Sequence, residues 1–405
     1  MTTLRREPLP IAFRVWVCGA LASQLGDSAM YFALGWAASA RGGTAAGLVL
    51  SAISLPRTLL VLLGGAVGDR LGARRVMITG DGLMLVVAGV LGVVAWLWGT
   101  PLALLIAAGL IIGTVDAFYL PSAGSMPRRL VDDSQLSRAV AVRQSGSQLV
   151  SMVGGPAGGL AVAAAGFAAA AWADSATFAI VLVVLILIRG RASAPPPGPR
   201  RNVVRDAADG VRIAVRTPGL GAALLLVAGS AGFIIPVSSL LIPLLARTHG
   251  WGAGAAGLVI GAQGVGAILI TLFVARSGTT SRPGSTALAG LLTVAVGQAV
   301  IGLAPTAVLA ATGALGMGLG SGLFVSHLSP VLLGTAPRSH LARVQALLSL
   351  VQSVALLATN NIIGNIAHAF RPADAVFLCS AVLVACAITG YASPTVRRLT
   401  VSPGS

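Results

Sequence analysis

The sequence predicts an all-α polytopic membrane protein with twelve transmembrane helices in two six-helix bundles. Hydrophobic residues make up 56% of the 405 residues, charged residues only 9%, and the mean hydropathy is +0.91. A soluble globular chain carries about 25% charged residues, and a disordered chain is poor in apolar residues, so both classes are excluded. A membrane-spanning helix needs about 20 apolar residues. Twelve such helices with short loops fill this length.

Twelve apolar segments follow one another along the chain. The first six are 13–39, 44–67, 76–98, 101–126, 139–166 and 168–188. The other six are 219–246, 252–275, 284–304, 306–333, 341–367 and 373–392. The domain organisation that we predict is a tail at 1–12, a first bundle at 13–188, a linker at 189–218, a second bundle at 219–392 and a tail at 393–405. The linker is basic and proline-rich, a composition typical of a semi-rigid spacer.

The basic residues are unevenly distributed along this topology. All 27 are arginine, and with a cytoplasmic N-terminus 23 of them fall in cytoplasmic stretches. The outer loops then hold only Arg41, Arg247 and Arg371, and Arg57 lies within a span. The positive-inside rule therefore predicts a multi-pass protein with both termini cytoplasmic. The arginine-only, alanine- and glycine-rich composition indicates a bacterial genome, so the predicted location is the bacterial cytoplasmic membrane.

The net charge of +16 would indicate nucleic-acid binding in a soluble protein. Here the charge sets topology and faces an anionic inner leaflet of the bilayer. We predict a small-molecule substrate as the other partner, no nucleic acid and no obligate protein partner.

The two bundles also resemble each other in sequence. Residues 127–141 join spans 4 and 5, and residues 337–346 join spans 10 and 11, with a similar order of proline, arginine and small apolar residues. Because these are equivalent joints of two six-span halves, the similarity favours duplication, as in many secondary transporters.

The loop between spans 2 and 3 reads GAVGDRLGARR over residues 65–75. It resembles the signature G-x-L-A-D-R-x-G-R-R/K of the major facilitator superfamily. The matching residues are Gly65, Asp69, Arg70, Gly72 and Arg74, whereas Val67, Gly68 and Ala73 depart from the pattern. The resemblance implies that these residues form a conformational switch, in which charges lock two helix ends together in one state and separate in the other. The alternative is that the arginines only set topology.

Span 5 contains Gly154-Gly155-Pro156-Ala157-Gly158-Gly159. This segment is similar to part of the superfamily's antiporter signature, which ends in G-P-x-x-G, although Ser151 replaces an earlier glycine. Glycines such as Gly155 and Gly159 allow close helix contact, and Pro156 kinks the helix. The resemblance implies export, and generic helix packing is the alternative.

Span 1 reads SQLGDS over residues 23–28, and span 2 contains Pro56-Arg57. Together with the 2–3 loop, these segments resemble the drug:proton antiporter branch that includes macrolide-efflux and enterobactin-exporter-like proteins. The resemblance implies proton-coupled efflux that uses the proton gradient as its energy source and no cofactor.

Ionisable residues inside a membrane are candidate functional residues, because they are costly to bury there. Asp27 and Arg57 both lie near the midplane, and we expect them to pair, either as a proton-coupling device or as a permanent structural ion pair. Gln24, Asp27 and Tyr31 share one helix face by their i, i+3, i+7 spacing. Asp116, in the middle of span 4, is the second coupling candidate, and its alternative is a structural hydrogen bond.

Two other aspartates are expected to have different roles. Asp81 lies about one turn into span 3 from the cytoplasm, so we expect it to pair with the arginines of the 2–3 loop as part of the switch. Asp174 lies near the outer end of span 6, and we expect no coupling role for it.

The remaining candidates are residues that line a central cavity and bind substrate. Apolar walls with a few polar groups suit small amphipathic ligands. The candidates are Gln24, Tyr31, Phe118, Tyr119, Phe324, His327, Gln352, Asn360 and Asn361. The neutral polar side chains of the second half could equally join helices to one another, and for His327 packing is the more common role.

Enzyme and metal signals are missing from the sequence. A chain without lysine has no Walker lysine, Glu7 is the sole glutamate, and the three cysteines lack metal-ligand spacing. We therefore predict a secondary active transporter that exports small amphipathic compounds, such as drugs or natural products, by alternating access. The alternatives are an importer or uniporter of a small polar metabolite, or a membrane scaffold or sensor that does not transport.

Overall fold

A computed structural model describes residues 8–188, 220–278, 280–335 and 341–393. They form α1 (Ile11–Ser39), α2 (Gly43–Leu71), α3 (Ala73–Trp98), α4 (Leu102–Ser125), α5 (Pro127–Leu130), α6 (Asp133–Leu187) and α7 (Leu220–Pro236). A π-helical turn (Val237–Leu241) leads to α8 (Ile242–Thr248), α9 (Gly252–Ser277), α10 (Pro283–Leu303), α11 (Ala307–Thr335), α12 (Leu341–Ala369) and α13 (Pro372–Ala392). The linker at 189–218 and most of both predicted tails lie outside the described residues.

The described helices account for twelve membrane crossings. Ten segments are long and apolar enough to span a membrane. One of them, Ser134–Leu187, would be about 80 Å long at 1.5 Å per residue, far more than the ~30 Å hydrocarbon core. It is two helices, because Gly166 breaks it with a φ of 75° that other residues rarely adopt. Helix α1, with 29 residues, is also long enough to cross the membrane, but its polar residues lower its mean hydropathy below that of the ten segments. The all-helical membrane fold is therefore confirmed.

The helices pack into two halves. Helices α1 to α6 contact one another, α7 to α13 do the same, and the halves meet mainly where α2 packs on α12 and α6 packs on α9. We call the end with most of the arginines, which includes the α2–α3 turn, the basic end. The opposite end, which carries Arg41, Arg247 and Arg371, is the far end.

The halves are joined at the far end. Among the described residues, four hydrogen bonds connect them, two from Arg247 and one each from Thr44 and Asn361. These residues lie in the far-end parts of their helices. Gly47 of α2 is so close to α12 that a Cβ there would lie 2.6 Å from the backbone oxygen of Asn360. The described conformation is thus sealed at the far end.

Candidate functional site

The first half contains four aspartates inside its helix bundle. Asp27 lies on α1, Asp81 on α3, Asp116 on α4 and Asp174 on α6. Asp81 and Asp174 are 0% and 1% exposed, whereas Asp27 and Asp116 are half-buried. The membrane-spanning part of the bundle therefore holds a concentration of carboxyl groups, which is costly unless protons or cations neutralise it.

Asp116 has a definite partner. The hydroxyl of Tyr31 donates a hydrogen bond of 2.5 Å to Asp116 Oδ2, which joins α1 to α4. Arg57 on α2 lies close enough to interact electrostatically with both residues. Tyr31 and Asp116 thus form a hydrogen-bonded pair inside an apolar bundle, with the Arg57 guanidinium in electrostatic range but without an ion pair to Asp116 among the described side chains. A proton and a guanidinium can compete for this carboxylate.

The expected ion pair between Asp27 and Arg57 is not formed between these described side chains, which have no contact within 4.0 Å. Asp27 instead interacts electrostatically with Asp174 and Asp116. The depth of Asp27 and Arg57 in the membrane could be predicted by counting residues along their helices. The partner of Asp27 could not be predicted in this way, because it depends on how each helix is rotated about its axis.

The structure also gives Asp81 a different partner from the expected loop arginines. Its Oδ2 accepts a hydrogen bond of 3.4 Å from the Tyr119 hydroxyl of α4. The side chain of Asp81 is buried because it faces α4 rather than the basic end. Tyr119 is therefore engaged inside the first half rather than free to line a cavity between the halves.

The α2–α3 connection is a one-residue turn at Gly72, whose φ of 87° favours glycine. Arg74 donates hydrogen bonds of 2.9 and 3.1 Å to the backbone oxygens of Leu185 and Ile186 at the end of α6. A cation is favourable at such unpaired helix carbonyls. Arg74 thus ties α3 to α6, whereas Arg70 is exposed and Gly65 has open space around it. The side chain of Asp69 lies outside the described residues.

The glycine segment of α6 contacts two different helices. Gly154 and Gly158 pack on α1, within the same half. Gly155 and Gly159 face α9 of the other half: a Cβ at Gly159 would lie 2.7 Å from the oxygen of Ala253 and 2.9 Å from the Cα of Gly257. This second face is a backbone-to-backbone seam between the halves, and its close approach is possible only with glycine.

A cavity of about 340 Å³ lies in the second half. Its lining comes from α7, α11 and α12, and includes Ile234, Phe324 and Leu328 among apolar residues and Ser230 and Gln352 among polar ones. This volume is within the range of small-molecule sites. Phe324 and Gln352 are sequence-predicted cavity residues that lie together here.

The other predicted substrate residues have partners elsewhere. Gln24 accepts a hydrogen bond of 2.8 Å from Ser147 of α6. Asn361 donates one of 2.7 Å to Ser51 in the α2–α12 seam, and Asn360 is buried in the same seam. His327 contacts the backbone oxygen of Leu323 at 3.0 Å.

The last two predicted substrate residues, His327 and Phe118, pack against other helices or loops. His327 also accepts a 3.4 Å hydrogen bond from the backbone of Thr280, an arrangement typical of a packing histidine. Phe118 is half-buried beside the backbone of Gly64, where α4 packs on α2.

Arg247 forms a latch at the far end that the sequence did not predict. Its guanidinium carbon lies 4.1 Å from the ring centroid of Trp36. Its Nε donates to Ser39 Oγ at 2.7 Å and its Nη2 to the Trp36 backbone oxygen at 2.6 Å. The only sequence signal was an arginine on the arginine-poor side of the membrane.

We expect Arg247→Gln to loosen the far end. Hydrogen bonds from a charged group stabilise by about 1.5–3 kcal/mol, and this contact also adds a cation–π interaction. Ala40 and Phe370 are exposed at the far end on opposite halves. The distance between spin labels at these two positions, measured by electron–electron double resonance, should be longer in Arg247→Gln than in the wild-type protein. Arg41→Gln is the matched control, because Arg41 bonds only to its own helix. Equal distances in both variants would contradict the latch.

Asp174 is the second residue that sequence reasoning missed. Its position near the outer end of span 6 led us to expect no coupling role, but the side chain points inward and packs against α1 at the level of Gly26. The available signal was the spacing of Asp174 and Thr177, which places both on one helix face.

Comparisons with known proteins agree with this architecture. The family model described as Major Facilitator Superfamily matches residues 16–359. The multidrug efflux pump Tap of Mycolicibacterium fortuitum is 24% identical over 324 residues, which cover 75% of this chain and 76% of Tap. The crystal structure of the nucleoside transporter NupG superposes with a TM-score of 0.72 at 12% identity, over 94% of this chain and 98% of that one. A structure of a proton-dependent oligopeptide transporter gives 0.71 at 19% identity, over 96% and 99%.

Proposed function

Because this chain belongs to the major facilitator superfamily and is a multi-pass secondary transporter, we propose that it is a proton-coupled exporter of small amphipathic compounds. The observation that carries the proposal is the group formed by Tyr31, Asp116 and Arg57. Burying a carboxylate and a nearby guanidinium inside a transmembrane bundle costs free energy, and ionisable residues in such positions usually have a function. Such a group suits proton coupling.

In the proposed cycle, protonation of Asp116 weakens its attraction to Arg57. Deprotonation restores that attraction and repositions α2 relative to α4. We propose that Asp27, which is partly exposed, exchanges protons with solvent, and that Asp69 and Arg70 gate the basic end. Arg57 acts on Asp116 rather than on Asp27 in this scheme, since Asp116 is the carboxyl group with which it interacts.

The cavity near Phe324 and Gln352 is the proposed substrate site. Its apolar walls with a few hydroxyl and amide groups suit an amphipathic molecule. We propose that the basic end faces the bacterial cytoplasm, as the arginine distribution favours. The described conformation then accepts substrate from the cytoplasm and is sealed toward the outside. The similarity to a named multidrug efflux pump supports export.

The test uses everted membrane vesicles with an acidic lumen and a pH-sensitive dye, to which amphipathic compounds are added one at a time. We expect a compound to trigger proton release from vesicles that contain the wild-type protein and not from those with Asp27→Asn. Asp374→Asn is the control, because that carboxylate pairs with Arg371 at the far-end surface. Exchange of labelled for unlabelled compound without any proton movement would contradict coupling and favour a uniporter.

A further inference from the structure

Asp174 carries a carboxyl group that is almost completely buried. Its side chain is 1% exposed, and neither Oδ1 nor Oδ2 accepts a hydrogen bond of good geometry, although the Thr177 hydroxyl lies close enough to interact with the carboxyl group. The nearest hydroxyl, on Thr177, donates instead to the backbone oxygen of Asp174 at 2.7 Å. A buried ionised carboxylate without a partner is strongly unfavourable, and such a group takes up a proton instead.

The surroundings of Asp174 offer no positive charge. On α1, a Cβ at Gly26 would lie 2.6 Å from Asp174 Oδ1, so this helix is in direct contact. The same helix contributes Asp27, and α4 contributes Asp116, both within electrostatic range. On α3, the contact is between neutral groups, where the Leu85 backbone oxygen accepts a hydrogen bond from Ser175. Among the described arginines, none is within ion-pairing distance.

Asp27 is the carboxyl group through which we expect a proton to reach Asp174. It follows Gly26, whose Cβ position lies against Asp174, and it is partly exposed, whereas Asp174 has essentially no contact with solvent. A proton that leaves the Asp27 carboxyl group can therefore be taken up by Asp174, and Asp27 then becomes the charged member. The two carboxyl groups interact electrostatically, so ionisation of both at once is unfavourable.

We propose that Asp174 is a further proton-binding residue, which holds a proton inside the first half and exchanges it through Asp27. The proposal rests on the proposed proton coupling and adds a storage position inside the first half. It assigns no role to the substrate, so it can be tested with protons alone.

The test is infrared spectroscopy of the full-length protein in lipid, because the C=O stretch of a protonated carboxyl group is resolved from that of a carboxylate. We expect Asp174→Asn to lose a high-frequency band typical of a protonated carboxyl group in an apolar environment. Asp174→Glu should retain a shifted band, which separates loss of the group from loss of the fold. Asp374→Asn should leave the band unchanged, since that carboxylate is paired at the surface.

The exchange route is tested by transferring the same samples into D₂O. We expect Asp27→Asn to slow the isotope shift of the band about tenfold, as an added barrier of about 1.4 kcal/mol would do. Asp116→Asn should slow it less. A band that survives Asp174→Asn would overturn the protonated state. A band that exchanges at the wild-type rate in Asp27→Asn would overturn the route. Both results are independent of whether any compound is exported.

Discussion

Replacement of Gly159 with leucine is expected to abolish transport while leaving each half of the protein folded. A side chain at this position would meet the oxygen of Ala253 and the Cα of Gly257, at 2.7 and 2.9 Å from its Cβ. Both are backbone atoms of α9, so neither can rotate away. The clash exists only while the far end is closed, because α6 and α9 belong to different halves and separate when that end opens.

The expected size of this effect follows from the cost of overpacking. A clash of about 3 kcal/mol in one of two states changes their ratio by roughly 150-fold. The protein would then remain in a conformation that is open at the far end, and a cycle that requires both conformations would stop. Substrate exchange across the membrane should fall to the background of empty vesicles.

Two measurements separate this trap from misfolding. The spin-label distance between Ala40 and Phe370 should increase in Gly159→Leu, and the detergent-solubilised protein should remain monodisperse. Gly82→Leu is the matched control, since Gly82 is a helical glycine with no neighbouring atom within 4 Å of its Cβ position. Wild-type transport by Gly159→Leu would show that the α6–α9 seam does not have to close.

The second large effect is expected for Asp116→Asn. The substitution keeps the size of the side chain and an oxygen that accepts from Tyr31, but it removes the ionisable group. We expect compound-driven proton release to disappear. Exchange of labelled for unlabelled compound should continue, because it needs no net proton movement. The measurement is the ratio of proton release to compound flux in reconstituted vesicles.

Tyr31→Phe is the companion variant, because it removes the donor and leaves the carboxyl group. A hydrogen bond to a charged acceptor is worth about 1.5–3 kcal/mol, so coupling should weaken by roughly one to two orders of magnitude rather than vanish. Asp374→Asn again serves as the surface control. Proton release at the wild-type ratio in Asp116→Asn would remove Asp116 from the coupling path and leave Asp27 as the candidate.

The fold followed from the sequence because the bilayer permits few solutions. Every backbone polar group must be paired in hydrocarbon, so an apolar chain of this length forms helices. The break at Gly166 falls at the end of the predicted segment 139–166, and the turn at Gly72 falls between the predicted segments 44–67 and 76–98. Both positions have a backbone conformation that glycine adopts readily. The subdivision at 189–218 stays a prediction, because it lies outside the described residues.

The candidate site was accessible to sequence reasoning only in part. Asp27 and Asp116 were recognisable because helix rise converts sequence position into depth, and a carboxyl group at mid-depth needs an explanation. Their partners were not recognisable. Arg57 interacts with Asp116 rather than pairing with Asp27, and Asp81 bonds to Tyr119 rather than to an arginine of the turn.

Sequence by itself determined the class of protein, the order of its helices and the depth of each charged residue, because these depend on composition and on distance along one helix. Only the tertiary structure decided which face each helix turns toward its neighbours. Asp174 illustrates the difference: its depth was readable, but its burial against Gly26 depends on the rotation of two helices that are far apart in sequence. Helix rotation is set by packing between side chains from several helices at once, and no single segment contains that information.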